Sequence, residues 1–260
     1  MAPTEQIVEL QGGRTKTRVL SAGEGDPVVF THGAGGLLWD PFLDRLAQRY
    51  RVIAPEHLGS GQSQGLENVE DLWDLVLYYA DLFDALGLPT RLSLIGHSFG
   101  GMVAAEIAAT HAERVSRLVL LCPIGLWRDE HPVPEISAIT PDKLPGLLFA
   151  DPTGPVAQAM PRPDPTDPEA LFQASLTIAA VNQFIWPLPD KGLSKRLHRI
   201  KADTLVVWGR QDKLVAPVYG EDFARAIPGA RLELVEGAGH LPQLEQFDKV
   251  AGLVEGFLTG

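Results

Sequence analysis

Short apolar runs bounded by turn residues alternate, along most of the chain, with stretches whose apolar positions recur at helical spacing. Runs of the first kind predict strands at Pro27 to Phe30, Arg51 to Ala54, Arg91 to Ile95, Val115 to Leu121, Thr204 to Trp208 and Arg231 to Val235. The runs at 115–121 and 204–208 are continuously apolar, as in strands buried on both faces. Stretches of the second kind predict helices at Leu43 to Tyr50, Asn68 to Leu86, Gly101 to Thr110 and near Asp248 to Leu258. From 68 to 86 the apolar positions 72, 73, 76, 79, 83 and 86 form one stripe, with Glu70, Asp71, Asp74, Asp81 and Asp84 falling mainly between them and Gly87 closing the helix. The alternation predicts a parallel sheet with helices on both faces. Ahead of it, Ile7 to Leu10 and Thr15 to Leu20, separated by Gly12-Gly13, predict an antiparallel edge hairpin.

The pattern changes between Pro123 and Pro189, where 13 of the 21 prolines lie and no strand run is found. Because a structureless loop of this length is unusual inside a compact domain, the segment predicts a small helical cap, with helices at Pro141 to Phe149, Pro168 to Ala179 and Val181 to Trp186. The expected division is a core of residues 1–123 and 197–260 and a cap of residues 124–196.

Composition narrows the possible partners. The chain has 260 residues, 22 basic and 33 acidic, a formal charge of −11 that disfavours nucleic acid and anionic membrane surfaces. One cysteine, Cys122, forms no internal disulfide and no cysteine-rich zinc site, so neither metal nor cofactor is expected. Neither a secretory leader nor a membrane span is read from the sequence, and the expected address is the cytoplasm.

Two Gly-x-Ser-x-Gly patterns compete for attention. No strand runs into Gly61-Gln-Ser63-Gln-Gly65, which reads as a solvated turn. Gly96-His-Ser98-Phe-Gly100 stands between a strand and an uninterrupted helix, the context that presents a nucleophile on a sharp turn, with glycines two residues away so that strand and helix can approach. Ser98 is therefore the candidate nucleophile. A serine needs a base and a carboxylate that fixes the base's tautomer. Of seven histidines, His240 lies in a glycine-rich loop after a predicted strand, where open α/β sheets place their sites, while His57 stays as a rival in a loop of unknown geometry. His32, His97, His111, His131 and His198 fit other strand-end, surface or cap contexts. Asp212, just beyond the strand ending at Trp208, is the candidate acid, with Asp129 or Glu130 as rivals. The loop Thr31-His32-Gly33-Ala34-Gly35-Gly36 lacks both the Gly-Lys-Ser/Thr end of a phosphate cradle and the dinucleotide glycine pattern, and fits an oxyanion loop instead.

Taken in order, His32-Gly33-Ala34-Gly35-Gly36, Gly59-x-Gly61-x-Ser63, Gly96-His-Ser98-Phe-Gly-Gly101, Trp208-Gly-Arg-Gln-Asp212 and Gly237-Ala-Gly-His240 resemble the α/β-hydrolase superfamily over essentially the whole chain. The resemblance implies an α/β-hydrolase fold with a mostly parallel eight-stranded sheet and a helical cap inserted after the sixth strand. It also implies Ser98 as nucleophile, His240 as base, Asp212 as orienting acid, and the backbone N–H groups of Ala34 and Phe99 as the oxyanion hole. One departure is Pro55-Glu56-His57, where relatives usually carry Asp before the Gly-x-Gly-x-Ser loop.

The expected activity is hydrolysis of a carboxylic ester of a hydrophobic small molecule through an acyl-enzyme, by a monomer or homodimer. Leu148, Phe149, Phe172, Phe184 and Trp186 of the cap are the expected pocket residues, beside Leu147, Met160 and Ile185. The alternatives are carbon-carbon bond hydrolysis of a vinylogous diketone, a cofactor-free peroxidase or perhydrolase side activity, and a ligand receptor without turnover.

Overall fold

The computed structural model describes residues 2–260. Eight strands form one sheet: β1 (Thr4–Leu10), β2 (Thr15–Ala22), β3 (Pro27–Thr31), β4 (Arg51–Pro55), β5 (Leu92–His97), β6 (Val115–Leu121), β7 (Asp203–Gly209) and β8 (Arg231–Val235). Their order across the sheet is β1-β2-β4-β3-β5-β6-β7-β8. β1 pairs with β2, and β2 with β4, antiparallel; every later pairing is parallel. The hairpin is the predicted one, lengthened at both strands.

Period-two alternation decides which helix packs where. Val28, Phe30, Val52, Ala54, Ile95, Val119, Leu121, Leu205 and Val207 meet α1 (Pro41–Leu46) and α9 (Phe247–Thr259) on one face. Val29, Ile53, Leu94, Leu118, Leu120, Val206 and Trp208 meet α2 (Leu72–Ala85), α3 (Phe99–Thr110) and α7 (Val218–Ala226) on the other. Helix starts are chemically marked: Asp40, Asp71 and Asp167 accept backbone N–H groups at the first turns of α1, α2 and α6 (Pro168–Ile185). α3 is buried from Phe99 to Ala109, which makes it the central helix and places the carboxylate of Glu106 inside the protein.

Between β6 and β7 there is no strand among the described residues; α4 (Leu144–Leu148), α5 (Pro155–Ala159) and α6 occupy the segment with short 3-10 turns. The helices expected at 168–179 and 181–186 are a single α6, because neither Gly nor Pro interrupts 169–186 and Pro187 ends it. α4 is shorter than expected, and α5 and α7 have only a few apolar residues each to announce them. The chain closes with α8 (Pro242–Glu245) ahead of α9. No helix among the described residues is long and apolar enough to cross a membrane.

The sheet order sets the position of the site. β3 connects to β4 on one side, and β5 then returns to pair on the other side of β3, with Thr31 opposite Gly96. Loops leaving the C-terminal ends of β3, β5, β6, β7 and β8 therefore gather along one edge, with a crevice where the winding reverses.

Candidate active site

Ser98 follows β5 directly and is the residue from which α3 starts, at φ 53° and ψ −116°. A non-glycine residue there is strained by about 1–3 kcal/mol and must be held by its surroundings. Ser98 N–H donates to the Leu121 carbonyl (2.9 Å), and the Ser98 carbonyl accepts from Met102 and Ile124. The flanking glycines are forced by contact: a Cβ on Gly96 would lie 2.4 Å from the Gly100 carbonyl oxygen, and one on Gly100 would lie 2.1 Å from that of Thr31.

His240 Nε2 lies 2.8 Å from Ser98 Oγ, and its Nδ1 lies 2.8 Å from Asp212 Oδ2. All three are buried. Asp212 Oδ1 accepts the N–H groups of Leu214 (3.0 Å) and Val215 (2.9 Å), which fixes the carboxylate plane. Nδ1–H of His240 donates to Asp212, which leaves Nε2 free to accept the Ser98 proton.

The loop bearing His240 is held by three contacts that no spacing announces. His97 Nε2–H donates to the His240 carbonyl (2.8 Å), and burial together with repulsion from His240 lowers the His97 pKa to about 3, so its ring is a neutral strut. Glu245 accepts from Gly239 N–H (2.6 Å) and Ala150 N–H (2.8 Å). Burial raises the Glu245 pKa. His240 N–H donates to the Leu148 carbonyl (2.7 Å).

A second network underlies the loop after β3. His57 N–H donates to His32 Nε2 (2.9 Å), His57 Nε2–H donates to the His32 carbonyl (2.8 Å), and the Tyr79 hydroxyl donates to His57 Nδ1 (2.5 Å). Burial keeps both rings neutral, lowering His57 to about 4 and His32 well below the usual histidine range. His57 is thus placed in the frame of the loop and away from Ser98. Beyond this frame, neither Ala34 N–H nor Phe99 N–H donates a hydrogen bond among the described residues. Asp129 and Glu130 are exposed, and Asp129 accepts from Trp127. Ser63 corrects the solvated-turn reading: it is buried, its hydroxyl donating to the Glu56 carbonyl and accepting from Arg18 N–H.

Ser98 opens into a cavity of about 80 Å³ lined by Ala34, Ile124, Val133, Ile136, Ile185, Trp186, Leu214 and Val215 among others. Of the cap residues expected in a pocket, Ile185 and Trp186 are in this wall. Leu148 contributes its backbone to the base loop, Phe149 is buried in a small cluster with Ala157 and Leu241, and Phe172 is 55% exposed on α6. Phe184 stacks on Phe99 and lines a different cavity, of about 410 Å³, with Trp73 and Arg196. Among the described residues, Cys122, Asp212 and His240 are the acidic, thiol and imidazole groups close enough together to share an ion. The Asp212 oxygens already accept two N–H groups and His240, and burial beside Asp212 pushes the Cys122 thiol well up, which keeps it protonated. These groups fit a proton relay better than a ligand set.

The sequence model of the Alpha/beta hydrolase family matches residues 28–253. The chain is 32% identical to 2-hydroxy-6-oxo-6-phenylhexa-2,4-dienoate hydrolase of Comamonas testosteroni, over 91% of this chain and 89% of the relative. It is 30% identical to 2-hydroxymuconate semialdehyde hydrolase of Pseudomonas sp. (strain CF600), over 96% and 93%. Among solved structures it is similar to the meta-cleavage product hydrolase of Pseudomonas fluorescens IP01, with a TM-score of 0.79 and 25% identity over 98% of this chain and 97% of that one. A carboxylesterase of Bacillus subtilis shares the fold, with a TM-score of 0.75 at 20% identity over 99% and 92%.

Proposed function

The chain belongs to the alpha/beta hydrolase family, and from that premise we propose that it cleaves a carboxylic ester with an apolar acyl part through an acyl-enzyme on Ser98. The observation that carries this reading is the unbroken hydrogen-bond chain Ser98–His240–Asp212 at the foot of an apolar cavity. In the proposed reaction Ser98 Oγ attacks the ester carbonyl and its proton passes to His240 Nε2. The imidazolium is steadied by Asp212, and the oxyanion is met by the N–H groups of Ala34 and Phe99, at the positive end of α3. His240 then returns the proton to the departing alcohol, and water repeats the sequence on the acyl-enzyme. Residues 124–196 are the proposed cap, and the proposed partner is a small molecule, with neither nucleic acid nor a membrane surface involved. A cytoplasmic setting belongs to the same proposal.

Carbon-carbon bond hydrolysis is the second reading, supported by the relatives' names. A dienoate carries a carboxylate that needs a cationic or donor-rich pocket. Among the described residues, the charged residue lining the Ser98 cavity is Glu135, an anion, and this favours the ester reading.

A fluorophosphonate probe is expected to label Ser98, and Ser98→Ala to abolish labelling. Both Ser98→Ala and His240→Ala are expected to lower ester turnover by about 10⁴ to 10⁶. A folded wild type that resists the probe would sink the serine mechanism. An ester panel run beside one dienol-type diketone, with product masses recorded, separates the two readings.

A further inference from the structure

The Ser98 cavity has a polar corner that the proposed chemistry leaves unused. Glu135 Oε1 accepts three hydrogen bonds, from Ser137 N–H (3.1 Å), Ser137 Oγ–H (2.7 Å) and Asn182 Nδ2–H (2.8 Å). Burial alone would raise this carboxyl, but the Ser137 and Asn182 donors bring it below the usual carboxylate range, so it is ionised at neutral pH. Its second oxygen, Oε2, accepts nothing among the described residues. The amide oxygen of Asn182, buried and attached to the same group that donates to Glu135, also has no partner. Glu135, the charged residue of the cavity wall among the described residues, thus keeps one carboxylate oxygen without a donor from the protein. No lysine or arginine lines the cavity. In the same wall is Trp186, 61% exposed, whose indole offers the negative face of a π system.

We propose that the part of the substrate projecting from the Ser98 cavity is an alkylammonium group, recognised by the carboxylate of Glu135 and the indole of Trp186, with Asn182 holding the carboxylate in place. An ammonium matches both: it carries the charge opposite to Glu135, its N–H or polarised C–H groups are donors to the carboxylate, and it binds aromatic faces. An anionic group at the same place meets an ionised carboxylate and no compensating cation. The substrate class is then a cationic ester, its apolar acyl part packed against Ile124, Val133 and Leu214 and its ammonium end at the mouth. This assignment rests on the serine-hydrolase reading and deepens it.

The test compares two phosphonothiolates that differ only at the end of the leaving group, trimethylammonium in one and the isosteric tert-butyl in the other, by their second-order rates of Ser98 modification. A small fluorophosphonate serves as the reference. The wild type is expected to react about tenfold faster with the cation, a preference of the size a half-solvated charge pair supplies. The ratio is expected to fall to about one or two in Glu135→Gln, and in the wild type to shrink as salt is raised, because exposed charges are screened. The ratio is internal to each variant, so a general loss of reactivity does not imitate the effect. The salt series on the wild type decides the matter even if Glu135→Gln fails to fold. A wild-type ratio of one or below, or a ratio unchanged by both salt and Glu135→Gln, overturns the assignment. So does a protein that reacts with the small probe and with neither thiolate. In each of these outcomes labelling of Ser98 by the small probe leaves the hydrolase reading standing, whereas failure of that labelling removes the hydrolase reading itself.

Discussion

Arg196→Met takes away the partner of a carboxylate that has no other route to neutrality except a proton. Glu106 lies on α3, 2% exposed, and Arg196 holds it through two charge-assisted bonds, Nε to Oε2 at 2.8 Å and Nη2 to Oε1 at 2.6 Å. Breaking a buried pair from one side costs about 3–5 kcal/mol because the remaining charge stays desolvated. Protonation sets a ceiling: neutralising a glutamate of ordinary pKa near 4.3 at pH 7 costs about 3.7 kcal/mol, after which the charge penalty is gone. The floor is lower, since Arg196 is itself 31% exposed and water enters where the guanidinium leaves. The expected loss at pH 7 is about 2–4 kcal/mol. In the variant the buried carboxylate of Glu106 has lost its cationic partner and burial favours its neutral form, so the loss grows as pH rises. Urea unfolding followed by tryptophan fluorescence, at pH 5 and at pH 8, is the assay, with the slope of the transition checked for constancy. Glu106→Gln combined with Arg196→Met is expected to recover most of the loss. A single-variant cost below about 1 kcal/mol, or one equal at the two pH values, would refute the argument.

Asp40 caps α1, and burial raises its pKa to about 6. Its contribution to stability is therefore full below the unfolded value and is lost as pH rises through about 6, so Asp40→Asn, which keeps the acceptor, is expected to gain on the wild type by on the order of 2 kcal/mol between pH 4 and pH 8. An equal difference at both pH values in urea unfolding would dismiss this. Tyr79→Phe leaves His57 Nδ1 buried without its donor and is expected to cost about 1–2 kcal/mol of stability and to lower kcat with little change in KM, since His57 steadies the His32 carbonyl beside the Ala34 loop. A change confined to KM would contradict that role. Gly100→Ala places a Cβ 2.1 Å from the Thr31 carbonyl oxygen, so the turn bearing Ser98 must shift and turnover is expected to be largely lost. Wild-type kcat in a folded Gly100→Ala protein would show that the turn tolerates the displacement.

What could be read from the sequence was what is written in local pattern. β6 and β7 announce themselves by unbroken apolar runs, and β5 followed at once by α3 singles out Ser98 over Ser63 because only one of the two matching patterns has a strand before it and a helix after it. Asp212 and His240 follow from counting loops after strands, and the structure brings His240 within hydrogen-bond distance of Ser98 and Asp212 within that of His240. Contacts between side chains and distant backbone carry no such mark. Glu245 on Gly239, His97 on the His240 carbonyl and Arg196 on Glu106 join positions whose spacing in the chain is arbitrary. The Ser98 cavity shows the same limit. Side-chain size pointed to Phe149, Phe172 and Phe184, but orientation decided their surroundings, and the wall is formed largely by smaller residues at 124, 133, 136, 214 and 215. The continuity of α6 was hidden for a different reason: its residues give an uneven apolar stripe, and helix length there depends on where Pro187 stops it.

The bond from His240 N–H to the Leu148 carbonyl means that the loop bearing His240 is finished by backbone belonging to the segment between β6 and β7. Glu245 adds a second tie to the same stretch at Ala150. That segment is therefore not a detachable module for the engineer or for evolution by fusion. A transplanted insertion that reshaped access to Ser98 would still have to present a carbonyl and an N–H where Leu148 and Ala150 now stand. Exchanges that spare residues 148–150 have far more freedom than exchanges that cross them.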